Sequence, residues 1–284
     1  MNILSHLQQQ KNFNPTEKQI AEHILLQPEK ILTQSIQELA LRTYTSTSSI
    51  VRLCRKIGLK GFKDFKMQLA SQLHYQPQDV LLVDPDFPFS EDDTYTDITD
   101  KLKELSIHSI DQTSQLFSDE SLETSVKLIT QSAQVGIFAY GDTAIPALNF
   151  QNKMMKIGYH ILSSHIPGEE HHLANSFNES DCAILLSYSG ESKRNYHIAK
   201  ILKQRKVQLI VITAYPNSHI GQLADVLLLA AVKESKNVKL STFSSQLSID
   251  FLLNALYSCI FVANYEKNQN KRIQSENFFL NDRF

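Results

Sequence analysis

Apolar residues recur along this chain in two rhythms, and the change of rhythm divides it. Over residues 1–75 the spacing is helical. Ile20, Ile24 and Leu25 form one stripe, Ile36, Leu39 and Ala40 a second, and Ile50, Leu53, Cys54 and Ile57 a third. From about Leu105 onward, helical stretches alternate with short continuous apolar runs at 135–139, 182–186, 209–213 and 226–229. Such runs fit strands of a parallel sheet covered on both faces. Between the zones, Pro77, Pro85 and Pro88 lie among Asp84, Asp86, Glu91, Asp92 and Asp93, a turn-rich acidic stretch with the next helix starting near Thr96. The expected architecture is an all-α domain over 1–75, an acidic linker over 76–104, and a doubly wound parallel-sheet α/β domain over 105–284.

Local signals place elements inside the first zone. Asn14-Pro15-Thr16-Glu17 is a helix start, with an N-cap, a proline at the first helical position and an acid in the first turn. Ser35 and Glu38 are spaced as a capping box. After a turn over 42–45, Ser46 caps a second helix that Gly58 is placed to stop. A short helix, a tight turn and a second amphipathic helix make a helix-turn-helix.

Charge sharpens this picture. Residues 1–75 hold ten Lys/Arg against five Asp/Glu, leaving eighteen against twenty-five in the rest of a chain whose formal net charge is −2. A basic end on an otherwise acidic chain points to nucleic acid. The second helix presents suitable chemistry. Ser46, Thr47, Ser48 and Ser49 lie at its start, where such modules meet base edges. Arg52 and Arg55 suit guanine or phosphate, and Lys56, Lys60, Lys63 and Lys66 suit phosphate. The same pattern also fits a solvated basic face on a small helical bundle.

Residues 35–40 (Ser-Ile-Gln-Glu-Leu-Ala), then 46–50 with Arg52, then 56–66 (Lys-Ile-Gly-Leu-Lys-Gly-Phe-Lys-Asp-Phe-Lys) together resemble the helix-turn-helix of the RpiR family, bacterial regulators of sugar-phosphate metabolism. The resemblance covers the whole first zone without gaps. It implies a double-stranded DNA operator as partner.

In the second zone, the apolar run at 182–186 leads into Ser187-Tyr188-Ser189-Gly190-Glu191-Ser192 and then a helical stretch to about Gln204. A hydroxyl-rich loop between strand and helix offers backbone donors, the positive end of a helix and several hydroxyls to a dianion. Gly190 lets the backbone approach closely. Tyr140-Gly141-Asp142-Thr143 is a similar turn after the run at 135–139. Both also read as well-capped helix starts. Glu169, Glu170, His171 and His172 form the most enzyme-like cluster, yet adjacent histidines point apart on a helix and lack metal-binding spacing. Neither metal nor cofactor is expected.

Residues 187–192 resemble the Ser-x-Ser-Gly-Glu-Thr signature of sugar isomerase (SIS) domains, with Ser192 in the threonine position. Gly141-Asp142-Thr143 resembles their Gly-x-Ser turn, and residues 153–158 the helix end that follows; Ala139 stands where a first glycine is usual, and Thr143 replaces serine. The likeness runs from about Thr124 to Tyr265. It implies a phosphosugar site at Gly141, Thr143, Ser187, Tyr188, Ser189, Gly190 and Ser192. Glu170 or His171, and also Glu234, would lie near the sugar hydroxyls.

Leu247, Leu252, Leu256 and Phe261 belong to a very apolar last long helix, suited to the core or to a second subunit. The apolar stretch 251–263 is too short to span a bilayer. Cys54, Cys182 and Cys259 have no paired spacing, which suits a reducing cytoplasm. The leading expectation is a non-enzymatic, homodimeric or homotetrameric regulator that binds DNA and answers to a phosphorylated sugar, in the cytoplasm and away from membranes. The competing reading is a sugar-phosphate isomerase or lyase with Glu170, His171 or Glu234 as base. A third is a sugar-phosphate adaptor that binds another protein.

Overall fold

The computed structural model describes residues 3–73, 83–164, 166–231, 234–235 and 238–281, with side chains as far as Gln274. Two compact units result. The first holds Met1–His108 with Lys233–Ser244, and the second Ser109–Val232 with Ser245–Phe284. This division differs from the expected one. Residues 83–104, read as linker, are part of the first unit, where Val83 and the Asp86 carboxylate are buried. Part of that stretch, residues 76–82, lies outside the described residues. A further segment returns to the first unit from far along the chain, which local patterning does not signal.

The first unit contains α1 (Ile3–Gln9), α2 (Pro15–Leu26), α3 (Pro28–Thr33), α4 (Ile36–Arg42), α5 (Thr47–Lys56) and α6 (Phe62–Gln72). Ile20, Ile24, Leu39, Ile50, Leu53, Ile57, Phe65 and Leu69 meet in its core. Both capping boxes form: Asn14 with Glu17, and Ser35 with Glu38. Between α4 and α5 the Thr43 hydroxyl donates back to the Leu39 carbonyl at 2.7 Å, and Tyr44 turns through a left-handed φ of 49°. Helix α5 ends as the glycine predicted. Gly58, at φ +88°, lets its own N–H reach the Arg55 carbonyl and the Leu59 N–H reach the Cys54 carbonyl, while Leu59 is buried.

A long helix, α7 (Tyr95–Ser114), continues from the first unit into the second, and α8 (Asp119–Gln131) follows. The second unit is built on five parallel strands, β1 (Val135–Phe138), β2 (Ile161–Leu162), β3 (Cys182–Leu186), β4 (Gln208–Thr213) and β5 (Val226–Leu229), in the order β2-β1-β3-β4-β5. Four of the strands were legible as apolar runs; β2, two residues long, was not.

Alternate strand residues feed opposite layers, so the sheet is doubly wound. Ile137, Ile184, Leu186, Ile210 and Ile212 pack with α9 (Ala144–Met155) and α12 (Phe243–Ala263). Phe138, Ala183, Leu185, Leu209 and Val211 pack with α10 (Glu170–Ser176) and α11 (Lys193–Gln204). Burial on both faces explains why these strands read as continuous apolar runs instead of alternating ones.

Helix α12 is longer than its apolar tail suggested. Its 21 residues, with a mean hydropathy of 1.5 over 18 of them, are long and apolar enough to cross a membrane by length and composition. Buried Ser244, Ser245 and Ser248 hid the start from a hydropathy reading. Ile249, Leu252, Leu253, Leu256 and Ile260 give this helix an inner stripe in the sheet core. After it, α13 (Tyr265–Asn281) begins where the Asn268 amide donates to the Ile260 and Phe261 carbonyls.

Candidate functional site

The surface around α5 is built by its cap. The Ser46 hydroxyl accepts from the Ser49 N–H at 3.2 Å and lies within 2.8 Å of the Ser48 hydroxyl and 2.9 Å of that of Ser49. Arg52 donates to the Ser49 hydroxyl at 3.1 Å, one turn further on. Ser46, Thr47, Ser48, Arg52, Arg55, Lys60 and Lys63 are exposed. Three expected contacts are placed otherwise. Ser49 is 7% exposed and buttresses Arg52 from beneath. Lys56 is paired at 2.6 Å with Glu17 of α2; burial raises the Glu17 pKa, but the Lys56 hydrogen bond and charge and the Asn14 N–H outweigh it and hold the carboxyl below its ordinary value. Lys66 is no phosphate ligand at all. It is 3% exposed and donates to the Gln34 carbonyl at 3.1 Å, and burial pushes its pKa down to about 8 against the opposing pull of Asp84, Glu38 and Glu104.

Sequence reasoning missed Tyr44. Its side chain is 89% exposed in the turn before α5, next to exposed Leu41 and Arg42. Neither its exposure nor its left-handed φ is written in the sequence, so no local signal marked it.

In the second unit the strand order reverses at β1. The chain passes from β1 to β2 on one side and then to β3 on the other, so a crevice opens beyond the carboxyl ends of β1 and β3. Phe138 is paired with Leu185, which brings the 140–143 and 187–192 turns to neighbouring strand ends. Residues 187–192 are held to β4. The Ser187 N–H donates to the Ile212 carbonyl at 3.0 Å, and the Thr213 hydroxyl donates to the Tyr188 carbonyl at 3.1 Å. Gly190 has φ +67°, and a Cβ there would lie 1.9 Å from the Ser218 hydroxyl oxygen. Only glycine fits. The Ser192 hydroxyl then caps α11 by accepting from the Asn195 N–H, and Asn195 in turn donates to the Leu186 carbonyl at 3.1 Å.

Within this loop Ser187 is buried, while Ser189 and Ser192 are half-buried. The Tyr188 side chain is turned inward at 8% exposure, and its hydroxyl donates to the Ala231 carbonyl at 3.1 Å. Across the crevice Gly141 is exposed at φ +59°. The Thr143 hydroxyl both donates to the Tyr140 carbonyl and accepts from the Tyr140 N–H, closing its own turn.

Glu170 comes to this region with a partner that sequence reasoning missed. Arg194, second residue of α11, grips its carboxylate at 2.5 and 2.6 Å and lies 4.2 Å over the Tyr140 ring. Burial opposes ionisation of Glu170, but the hydrogen bonds and charge of Arg194, with the Gly168 N–H, keep its pKa below the ordinary value. The cluster ties the β1 turn, α10 and α11 together. His171 is half-buried and His172 exposed, and both serve locally: the His171 ring nitrogen meets the Gly168 carbonyl at 2.8 Å, and His172 lies 3.5 Å from the Glu169 carboxylate. Glu234 is buried in the first unit, where it accepts from the Ser244 N–H and pairs with Lys239 at 3.1 Å. Among the described residues no group of three His, Cys, Asp or Glu is arranged to hold a metal ion.

Comparison with known proteins agrees with this two-part geometry. The helix-turn-helix domain of the rpiR family matches residues 1–76, and the SIS domain matches residues 128–256. The chain belongs to the RpiR family. An RpiR-family helix-turn-helix followed by a SIS domain marks a transcriptional regulator, and the relatives carry such names. An HTH-type transcriptional regulator of Haemophilus influenzae is 29% identical over 254 residues, covering 88% of this chain and 86% of that protein. The regulator HexR of Escherichia coli is 25% identical over 219 residues, 75% of this chain and 73% of its own. Among solved structures, Vibrio vulnificus NanR, complexed with ManNAc-6P, is 23% identical with a TM-score of 0.59 over 98% of each chain. That last likeness is one of fold.

Proposed function

We propose that this RpiR-family regulator reads a DNA operator through the exposed start of α5 and changes its DNA affinity when a phosphorylated sugar or amino sugar occupies the crevice beside β1 and β3. The observation that carries the reading is the 187–192 loop. It sets a left-handed glycine, three serines and a helix N-terminus at the switch point of a parallel sheet, an arrangement made for a compact dianion. The ManNAc-6P bound to NanR supports a sugar phosphate as the class of effector. Ser187, Ser189, Ser192, Thr143 and the Gly141 and Gly190 backbones are the phosphate ligands in this reading; Glu170 and Arg194 face the sugar.

At α5, Thr47, Ser48 and Arg52 meet bases. Arg55, Lys60 and Lys63 meet phosphates, with Tyr44 beside them. The protein acts in the cytoplasm as a homodimer or homotetramer, because a two-fold pair presents two copies of α5 to two half-sites. An apolar groove of about 510 Å3 between α8 and α12, lined by Leu122, Val126, Cys259 and Val262, supports such a pairing. In this reading the role is not enzymatic, which the regulator names of the relatives support together with the pairing of Glu170 to Arg194 and of buried Glu234 to Lys239.

The test is operator binding by fluorescence anisotropy against a panel of sugar phosphates. One of them should shift DNA affinity about 5–150-fold. Turnover of a sugar phosphate without any effect on DNA binding would replace this reading with the isomerase one.

A further inference from the structure

The chain passes between the two units three times, within α7, after Ala231 and at the start of α12, and Ala231 lies at the second passage and is bonded to the helix of the first. Ala231 is the last described residue before the chain leaves the second unit, and by Glu234 it is in the first. The Ala231 carbonyl accepts from the Tyr188 hydroxyl at 3.1 Å, and Tyr188 lies inside the phosphate loop. The Ala231 N–H donates to the Thr113 hydroxyl at 3.3 Å, and Thr113 is in α7, the helix that also continues into the first unit. One residue therefore bonds the loop through its carbonyl and the crossing helix through its N–H, and stands at the start of the second crossing.

Beyond that point the returning segment is fastened to the first unit. Asp86 accepts from the Ser235 N–H through its carboxylate at 2.6 Å, and from the Leu240 N–H through its main-chain carbonyl at 2.9 Å. Glu234 accepts from the Ser244 N–H and pairs with Lys239, folding the segment on itself. Phe243 meets the edge of Phe89 at a centroid distance of 6.1 Å and packs with Val83 and Leu105. Asp86, Glu234 and Ser244 are buried, so the described part of this segment is fixed within the first unit at several points.

We propose that the Tyr188 hydroxyl on the Ala231 carbonyl is the coupling contact of the regulator: occupancy of residues 187–192 is transmitted through Ala231 into the Lys233–Ser244 segment and α7. Tyr188 thus acts as a positioning residue, not as a ligand of the phosphate. This rests on the phosphate site proposed above. The Tyr188 carbonyl is held by the Thr213 hydroxyl and the Ala214 N–H, and in this proposal an anion on the loop acts on Ala231 through the Tyr188 side chain. A ligand shifts an equilibrium only by contacts that differ between its states; this bond is one that loop closure changes.

Amide hydrogen exchange on the full-length protein, with and without saturating inorganic phosphate at matched ionic strength, tests the route. In the wild type, phosphate should alter protection across 187–192 and also across 234–244, by about fivefold or more. In Tyr188→Phe the loop response reports occupancy and the 234–244 response should vanish. In Thr113→Val, which spares the loop and the packing, transmission into residues 95–108 should fall while that into 234–244 persists. An equal 234–244 response in Tyr188→Phe and wild type overturns the coupling contact and leaves the phosphate site standing. A loop silent to phosphate in the wild type overturns the site itself and the coupling with it.

Discussion

Helices α5 and α11 begin with nearly the same chemistry and put it to different use. Each starts at a serine cap with further hydroxyls close by, and each carries an arginine in its opening turns, Arg52 in one and Arg194 in the other. At α5 the hydroxyls bond to one another and to Arg52 on an outward surface where Thr47 and Ser48 are exposed. At α11 the serines precede the helix in a loop bound to β4 and folded over Ser218, at the end of a sheet. A convex hydroxyl surface suits a long polyanion that is gripped at many points. A recessed loop suits one compact dianion. Placement of the hydroxyls, outward at α5 and folded against Ser218 before α11, separates the two roles proposed for them more than residue type does.

The largest way to break this contrast is Gly190→Ala. A methyl group within 1.9 Å of Ser218, at a left-handed φ, should cost about 3 kcal/mol or more of stability in the second unit. Urea unfolding read against Gly61→Ala, where nothing lies within 4 Å, should show the loss only at Gly190. A tolerated Gly190→Ala would mean the loop is free to open.

Next in size is Arg52→Ala. It should weaken operator binding by about 1–3 kcal/mol and weaken random DNA less. Equal losses on both would restrict Arg52 to phosphate. Lys66→Met sharpens the contrast from the other side, since this lysine lies below the surface. Its folded pKa, near 8, is below the unfolded value of about 10.4. The unfolded chain therefore binds more protons between those values, and wild-type stability should rise with pH across that window. The variant should lack the rise in urea titrations while binding DNA with an unchanged salt slope. A shallower slope would return Lys66 to the phosphate contacts. Smallest is Ser46→Ala, which should cost about 1 kcal/mol through the lost cap and loosen Arg52 by way of Ser49.

What the sequence revealed were features decided within a few residues. The Ser35–Glu38 box, the Ser46 cap and the Gly58 stop all form as read, because their partners lie within one turn. The apolar runs gave four strands because both faces of the sheet are covered. The distant partners of charged side chains were the part that stayed hidden. Lys56 meets Glu17 across 39 residues, Arg194 meets Glu170 across 24, and Lys66 meets Gln34 across 32. No local spacing distinguishes a lysine held by a distant carboxylate from one left for DNA. Ser49 was misjudged for a subtler reason: a hydroxyl at the edge of the inner stripe is turned inward by its own cap bonds.

Strand β2 is only two residues long, and the segment behind it, with Gly168 in open space at φ +97°, leads directly to Glu170. Beyond so slender an edge, residues 166–169 form a short exposed connection that ends at Glu170 on Arg194. If the proposed function holds, exchanging residues 166–169 for a relative's, with Glu170 kept on Arg194, should change which sugar phosphate shifts operator binding.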